Sequence, residues 1–333
     1  MNKTKPVLIF LMKLLVSTGL IVFFFMQIHI ERFLGTLASA RFSYIALALV
    51  VYLLSQILSA GRWMILARPL GFEEPFKEII AFYLIGMFFN LFAPGTVGGD
   101  VSRVYYLARN DKTHSEKAGW AVSTVPAAVS VFMDRAVGMA ALVWLGAIGL
   151  VMFPEYPVPA PIRFLTFAVA VGLAVAGAAV PLLRRFLPED GHPVVVKLRF
   201  ALRAYRTHWS VIPKAIAFSF FLHLIGAWIH LVLGWALQID IPFSFCIILY
   251  PLVGTFAAIP ISLNGIGLRE GGYLFLLGLI GISAEKGVAF GLLLFLIVAF
   301  DSLIGGVMFL VKKSPKLADD ALLKSISSGS RGI

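Results

Sequence analysis

The chain has 333 residues, of which 60% are hydrophobic and 14% are charged. Since a soluble domain carries about 25% charged residues, this composition excludes an ordinary soluble enzyme or binding domain. The net charge of +11 does not indicate nucleic acid, because Lys and Arg cluster in the loops between apolar runs, where they would face anionic lipid. The sole cysteine, Cys246, allows no intramolecular disulfide.

Apolar runs of membrane-spanning length recur along the whole chain. The first run is too long for the apolar part of a signal peptide, so we predict a retained transmembrane helix there. The sequence therefore predicts an all-α, polytopic helical membrane protein with about six full crossings. These crossings are 7–28, 43–61, 134–153, 163–183, 215–238 and 287–311.

The charges of the loops predict the orientation of these crossings. Segment 184–214 contains seven Lys and Arg residues and the C-terminal segment 312–333 contains five, whereas 153–161 and 239–242 contain none. The positive-inside rule then puts both termini and 184–214 in the cytoplasm, and the two loops without Lys or Arg outside. For a bacterial-type cell this is the cytoplasmic, or inner, membrane.

The same rule predicts two re-entrant elements. The basic loops that flank 79–106 both belong inside, so this segment enters the membrane and returns, and 243–282 does the same from outside. The apolar part of the first element, 79–92, and a separate segment, 118–131, are each 14 residues long, which is short for a crossing. Paired, Gly- and Pro-interrupted segments of inverted orientation are typical of a transport site.

The first re-entrant turn lies in FAPGTVGGDVSRVYY, residues 92–106. Asp100 and Arg103 are three positions apart and share one face of the helix that follows. The orphan backbone N–H groups at such a helix start form an anion site, whereas the alternative is a cytoplasmic loop with a surface Asp–Arg pair. The residues that break the helix or form the turn are Pro94, Gly95, Gly98 and Gly99.

Two segments lie outside the predicted crossings, one expected at the membrane surface and the other in a C-terminal tail. Residues 193–209 form a basic amphipathic pattern, which favours a surface anchor over a functional site. No polar stretch is long enough for an independent soluble domain. We therefore divide the chain into a transmembrane domain, 1–312, and a polar cytoplasmic tail, 313–333, expected to be disordered.

Ionisable side chains in apolar surroundings cost about 3 kcal/mol or more each at the bilayer centre and are functional candidates. Arginines beside glycine-rich turns favour a phosphate-bearing ligand, because guanidinium binds phosphate through a bidentate fork. The alternative is purely structural pairing of acids with arginines. The predicted substrate-binding residues are Asn90, Gly98, Gly99, Asp100, Arg103, Asp134, Arg135, Asn264, Gly265, Gly267, Arg269, Glu270 and Asp301.

Within this set, we expect Arg103 and Arg269 to converge on one cavity, with Asp134 and Glu270 holding them when no lipid is bound. Other chemistry is weakly indicated. His223 and His230, at i and i+7, fit packing better than metal binding. Since HExxH, GxSxG and Walker A patterns do not occur in the sequence, we predict no catalytic residue, metal site or cofactor.

Three motifs, PGTVGGDVSR (94–103), FMDRAVG (132–138) and IPISLNGIGLREGG (259–272), resemble the flippase-like family named for the transmembrane region of lysylphosphatidylglycerol synthase. The resemblance covers roughly residues 5–312. It implies a helical bundle with re-entrant helices and the translocation of phospholipid or lipid-linked headgroups between leaflets. Some relatives carry a soluble domain that adds an amino acid to phosphatidylglycerol, and this sequence has no counterpart of it.

Two classes of function follow from these patterns. The leading hypothesis is a flippase or scramblase for an anionic phospholipid or a lipid-linked phosphate, acting among membrane lipids and without nucleic acid. Association into a homo-oligomer is left open by the sequence. The alternative is a membrane enzyme, or a subunit of one, that acts on a lipid phosphate with Asp134 or Glu270 as general base. A scaffold for other envelope proteins is a third hypothesis.

Overall fold

The computed structural model describes residues 4–26, 28–92, 98–110, 121–183 and 203–312. Regular structure in these ranges is helical, without a strand, which confirms the all-α class. The helices, in chain order, are α1 (Thr4–Met26), α2 (Ile30–Ala38), α3 (Phe42–Ala67), α4 (Phe76–Phe92), α5 (Gly98–Asn110), α6 (Ala121–Met152), α7 (Ala160–Leu183), α8 (Val211–Ala236), α9 (Phe243–Ala257), α10 (Leu268–Gly278) and α11 (Ala284–Val311).

The polytopic architecture is confirmed as well. Among the described residues, five segments are long and apolar enough to cross a membrane: Phe42–Leu70, Ser123–Met152, Ala160–Ala179, Val211–Ala236 and Ala284–Val311. Helix α1, the first predicted crossing, is 23 residues long. The chain is therefore a helical membrane protein.

Helix α6 joins two segments that the sequence separates. The short run 118–131 and the crossing 134–153 lie largely in one continuous helix of 32 residues, with Pro126 inside it. Proline removes one backbone hydrogen bond but is tolerated in membrane helices, where neighbouring groups satisfy the freed carbonyl. This continuity places Asp134 in the middle of a long helix.

The first predicted re-entrant segment forms a helical hairpin of α4 and α5. The backbone N–H of Gly99 donates to Oδ1 of Asn90 at 3.1 Å, so the two helices meet close to the turn. Further along, Gly86 lies against the side chain of Arg103. Pro94 and Gly95, which were predicted to break the helix, lie outside the described residues.

The second predicted re-entrant segment forms a hairpin of α9 and α10. Its turn contains Gly265 and Gly267 with φ of +75° and +88°, a backbone conformation that favours glycine. Behind the turn, Gly272 of α10 packs on the side chain of Val253 of α9. The chain therefore reverses direction between the two helices, as in the first hairpin.

The two hairpins approach α11 from opposite ends, and their tips meet. Gly287, near the start of α11, packs on Leu274 of the second hairpin, whereas Gly305, near its end, packs on Leu84 of the first. At the tips, Nδ2 of Asn264 donates to the carbonyl of Leu91 at 3.2 Å. The opposite orientation of the hairpins thus follows from their contacts along one helix.

The depth of the second tip is fixed by α1. The backbone N–H of Leu263 donates to Oγ of Ser17 at 2.9 Å, and Gly267 lies against Leu20. Both α1 residues are more than a dozen positions from the start of that helix. The tips therefore meet well inside the bundle, and buried apolar side chains form a separate cluster around each hairpin.

Candidate functional site

Asp134 accepts hydrogen bonds from two arginines on two different helices. Nε of Arg62, on α3, donates to Oδ1 at 2.9 Å, and Nη2 of Arg103, on α5, donates to Oδ2 at 2.8 Å. The carboxylate is only 1% exposed, so both arginines are needed to compensate its burial. The predicted pairing of Asp134 with Arg103 is thus present, with Arg62 as an additional partner that the sequence did not indicate.

Arg103 is enclosed by aromatic rings as well as by acids. Its guanidinium carbon lies 4.2 Å from the ring centroid of Trp63 and 4.5 Å from that of Tyr83. The Trp63 indole N–H donates in turn to Oγ of Ser130 at 3.1 Å. Since flat contact between guanidinium and aromatic rings is favourable, this arginine is held firmly in place.

Charged groups continue from Arg103 towards the surface of the bundle. Nη1 of Arg103 lies 3.8 Å from Oδ1 of Asp100. The same oxygen accepts hydrogen bonds from Nη2 and Nε of Arg135 at 2.9 and 3.0 Å. The resulting sequence of five groups is Arg62, Asp134, Arg103, Asp100 and Arg135. With three arginines and two carboxylates, these five groups have a formal net charge of +1.

The second charged pair lies at the start of α10. Nη2 of Arg269 donates to Oε1 of Glu270 at 2.9 Å, while the other carboxylate oxygen accepts the backbone N–H of Gly267 at 2.7 Å. Glu270 therefore caps the helix start and holds Arg269 at the same time. Both side chains are 14% exposed, which leaves the guanidinium accessible from one side.

A cavity of about 260 Å³ opens between α3, α8, α9, α10 and α11. Among the described residues that line it are two arginines, Arg62 and Arg269, and no acid. Its polar wall also contains Tyr52, Ser55, Gln56, Ser59, His223, His230, Tyr250 and Tyr273. A wall whose charged lining groups are both arginines, with neutral hydrogen-bonding groups around them, suits an anionic, hydroxylated or phosphorylated ligand.

Two histidine–tyrosine pairs organise the wall of the cavity. Nε2 of His223 lies 2.8 Å from the carbonyl of Gly138, and its Nδ1 lies 3.0 Å from the Tyr250 hydroxyl. His230 is arranged similarly, with its Nδ1 2.7 Å from the Gly226 carbonyl and its Nε2 2.7 Å from the Tyr273 hydroxyl. Because a carbonyl only accepts, each neutral imidazole donates its N–H to the carbonyl. Its other ring nitrogen then accepts a hydrogen bond from the tyrosine hydroxyl.

The remaining predicted residues are distributed around this cavity. Arg269 lines it, whereas Arg103 lies behind Asp134 and is not part of its wall. Asn90, Asn264, Gly99, Gly265 and Gly267 shape the two hairpin turns, and Gly98 begins α5. Asp301 is 2% exposed, and within the described part of the chain its Oδ2 has no hydrogen-bond partner.

The residues that sequence reasoning missed come from helices far apart in the chain. The apolar run ends at residue 61, so the sequence predicts that Arg62 belongs to the following loop. In the structure α3 continues to Ala67 and includes Arg62. His223 and His230 were assigned to packing. Their spacing of seven positions puts both on one face of a helix, which was the only signal available for their common role in the wall.

The comparisons with known proteins identify a membrane-protein family. The chain belongs to the family of the lysylphosphatidylglycerol synthase transmembrane region, whose model matches residues 10–305. It is also similar to the UPF0104 membrane protein MJ1595 of Methanocaldococcus jannaschii, with 28% identity over 113 residues. That match spans 34% of this chain and about a third of the relative.

Proposed function

We propose that this protein is a lipid translocase, a flippase or scramblase that moves an anionic phospholipid or a lipid-linked phosphate headgroup between the leaflets of the cytoplasmic membrane. Membership of the lysylphosphatidylglycerol synthase transmembrane family supports a role connected with membrane lipids. The more specific activity rests on the cavity and on the hairpins beside it.

The observation that carries the proposal is the chemistry of the cavity wall. Two arginines face a space with no acid in its described wall, inside a protein whose surroundings are hydrocarbon. A charged headgroup needs such a polar environment to cross, since an unpaired charge at the bilayer centre costs several kcal/mol. The guanidinium of Arg269 would donate its hydrogen bonds to a phosphate oxygen in place of Oε1 of Glu270.

The two hairpins supply a physical reason for access from both leaflets. They enter from opposite ends of α11, and among the described residues Nδ2 of Asn264 at one tip donates to the carbonyl of Leu91 at the other. Irregular backbone of this kind is tolerated where it lines a cavity. Small movements of either tip would open the cavity to one side at a time, as in transporters built from inverted elements.

The test is a leaflet-exposure assay in liposomes of phosphatidylethanolamine and phosphatidylglycerol that contain the purified protein. Phosphatidylglycerol labelled on one acyl chain is followed by quenching with a reagent confined to the outside. We expect faster exchange than in protein-free liposomes. Arg269→Ala should slow it by about tenfold or more, since a charge-assisted hydrogen bond is lost, and Arg269→Lys should retain part of the rate.

Arg32→Ala provides the matched control, because Arg32 is an exposed arginine on α2 that does not line the cavity. Exchange by the parent no faster than in empty liposomes would contradict translocation. Mass spectrometry of the same lipids tests the alternative of a lipid-modifying enzyme, which requires a change of headgroup mass.

A further inference from the structure

Asp301 is a buried acid that is paired with no arginine or lysine in the described part of the chain. It lies in α11, is 2% exposed, and one of its oxygens is fully buried without a hydrogen bond in the described part of the chain. The other acids at this depth, Asp134 and Glu270, are each held by arginine. An ionised carboxylate in such a place is costly, whereas the protonated form is tolerated.

The position of Asp301 connects it to the cavity. Leu294 and Val298 line the cavity, and Asp301 follows them on the same face of α11, at i+7 and i+3. Tyr52, which belongs to the wall, lies within electrostatic range of both Asp301 and Arg269. A phosphate bound at Arg269 would bring a second negative charge to the cavity that the face of α11 carrying Asp301 helps to form, and like charges disfavour the ionised form of Asp301.

The charged and titratable groups around this position do not include a permanent partner for it. Tyr52 on α3 and Tyr83 on α4 are neutral phenols, Arg269 on α10 is held by Glu270, and His230 on α8 is bound to Tyr273. In the described ranges no three His, Cys, Asp or Glu side chains come together to hold a metal ion. A proton is the cation that a single carboxylate can bind without further ligands.

We propose that Asp301 is a proton-binding site that couples movement of the anionic headgroup to proton movement, one proton for each headgroup. This inference rests on the proposed translocase function. While the cavity is open to water, the carboxyl of Asp301 is ionised. When phosphate enters and the cavity closes, Asp301 takes up a proton from that aqueous phase, and the headgroup and the proton cross together with no net charge. Release of the headgroup on the other side lets the carboxyl give its proton to that aqueous phase.

The experiment uses the same liposomes and acyl-labelled phosphatidylglycerol, with either a pH gradient or a potassium diffusion potential imposed. For the parent, we expect a gradient of about one pH unit to shift the leaflet ratio of the label by about tenfold, because one proton crosses per headgroup. A diffusion potential alone should leave the ratio unchanged, because the coupled step carries no net charge.

Asp301→Asn fixes the uncharged form. It should lose the response to the pH gradient and gain a response to the diffusion potential, since the anion then crosses without a proton. Asp301→Glu keeps a titratable carboxyl and should retain the response of the parent. Glu285→Gln, which removes an acid from the outer end of the same helix, is the matched control and should behave as the parent does.

The failure of this inference is distinguishable from the failure of the proposed function. A parent that exchanges label but ignores the pH gradient, or an Asp301→Asn variant that still follows it, overturns proton coupling and leaves translocation intact. A parent that does not exchange label overturns both. If Asp301→Asn does not elute as a folded, monodisperse protein, the responses of the parent and of Asp301→Glu decide.

Discussion

At the scale of single residues, the arginines of this protein have different roles. Arg269 lines the cavity and is held on one side by Glu270. Arg103 is buried between Trp63 and Tyr83 and bound to Asp134. We therefore expect substitutions at these two arginines to act through different quantities, Arg269 on transport and Arg103 on stability.

Arg103→Ala should lower the free energy of unfolding by about 3 kcal/mol, because it leaves a buried carboxylate with one of its two partners and empties the space between two rings. Arg103→Lys keeps the charge but loses the flat ring contacts, so its loss should be smaller. Denaturant unfolding in detergent micelles measures both. Arg135→Ala is the control, since its side chain is 53% exposed, and an equal loss there would contradict the distinction.

At the scale of helices, the first hairpin is held against α11 by close backbone contact. A Cβ atom added at Gly305 would overlap the carbonyl oxygen of Leu84, and one added at Gly99 would overlap the carbonyl oxygen of Gly86. Backbone atoms, unlike the end of a flexible side chain, do not move away locally. Glycine at these positions therefore sets the distance between α4, α5 and α11.

Gly305→Ala should destabilise the protein by about 1–3 kcal/mol or more, because α4 must move away from α11. The matched control is Gly172→Ala in α7, where nothing lies within 4 Å of the added Cβ. There alanine should be neutral or stabilising by up to about 1 kcal/mol, as in other helices. Comparison of the two melting temperatures at matched detergent concentration is the measurement, and equal values would contradict the packing argument.

The sequence predicted the crossings and the hairpins, although it divided α6 in two, but it did not predict how the helices assemble. Apolar runs and loop charges predicted the crossings and both hairpins, because length and charge are local properties that the membrane itself imposes. The partnership of Arg62 with Asp134 and Ser219 spans residues far apart in the chain, so no local pattern reveals it. The same holds for the cavity, whose wall comes from five helices.

At the scale of the whole molecule, the bundle has two ends whose loops differ in charge. At one end the loop 153–159 meets the start of α9, which directly follows the loop 237–242, since the Tyr156 hydroxyl lies 2.6 Å from Oγ of Ser244. At the other end the Tyr205 hydroxyl donates to the carbonyl of Leu66, and Lys312 pairs with Glu78. Each of α6, α8 and α11 runs from one of these ends to the other, and its direction agrees with the direction predicted from the loop charges.

The charge asymmetry predicts that the end with Tyr205 faces the cytoplasm, because segment 184–214 contains seven Lys and Arg residues while 153–161 and 239–242 contain none. Pro157→Cys and Asp240→Cys, both at exposed positions, should react with an impermeant thiol reagent in intact cells. Arg203→Cys, also exposed, should react only after lysis. The background variant is Cys246→Ala, which removes a fully buried thiol without burying a new polar group. Labelling of Arg203→Cys in intact cells, with no labelling of the other two, would mean that the end with Tyr205 faces outside and would contradict the predicted orientation.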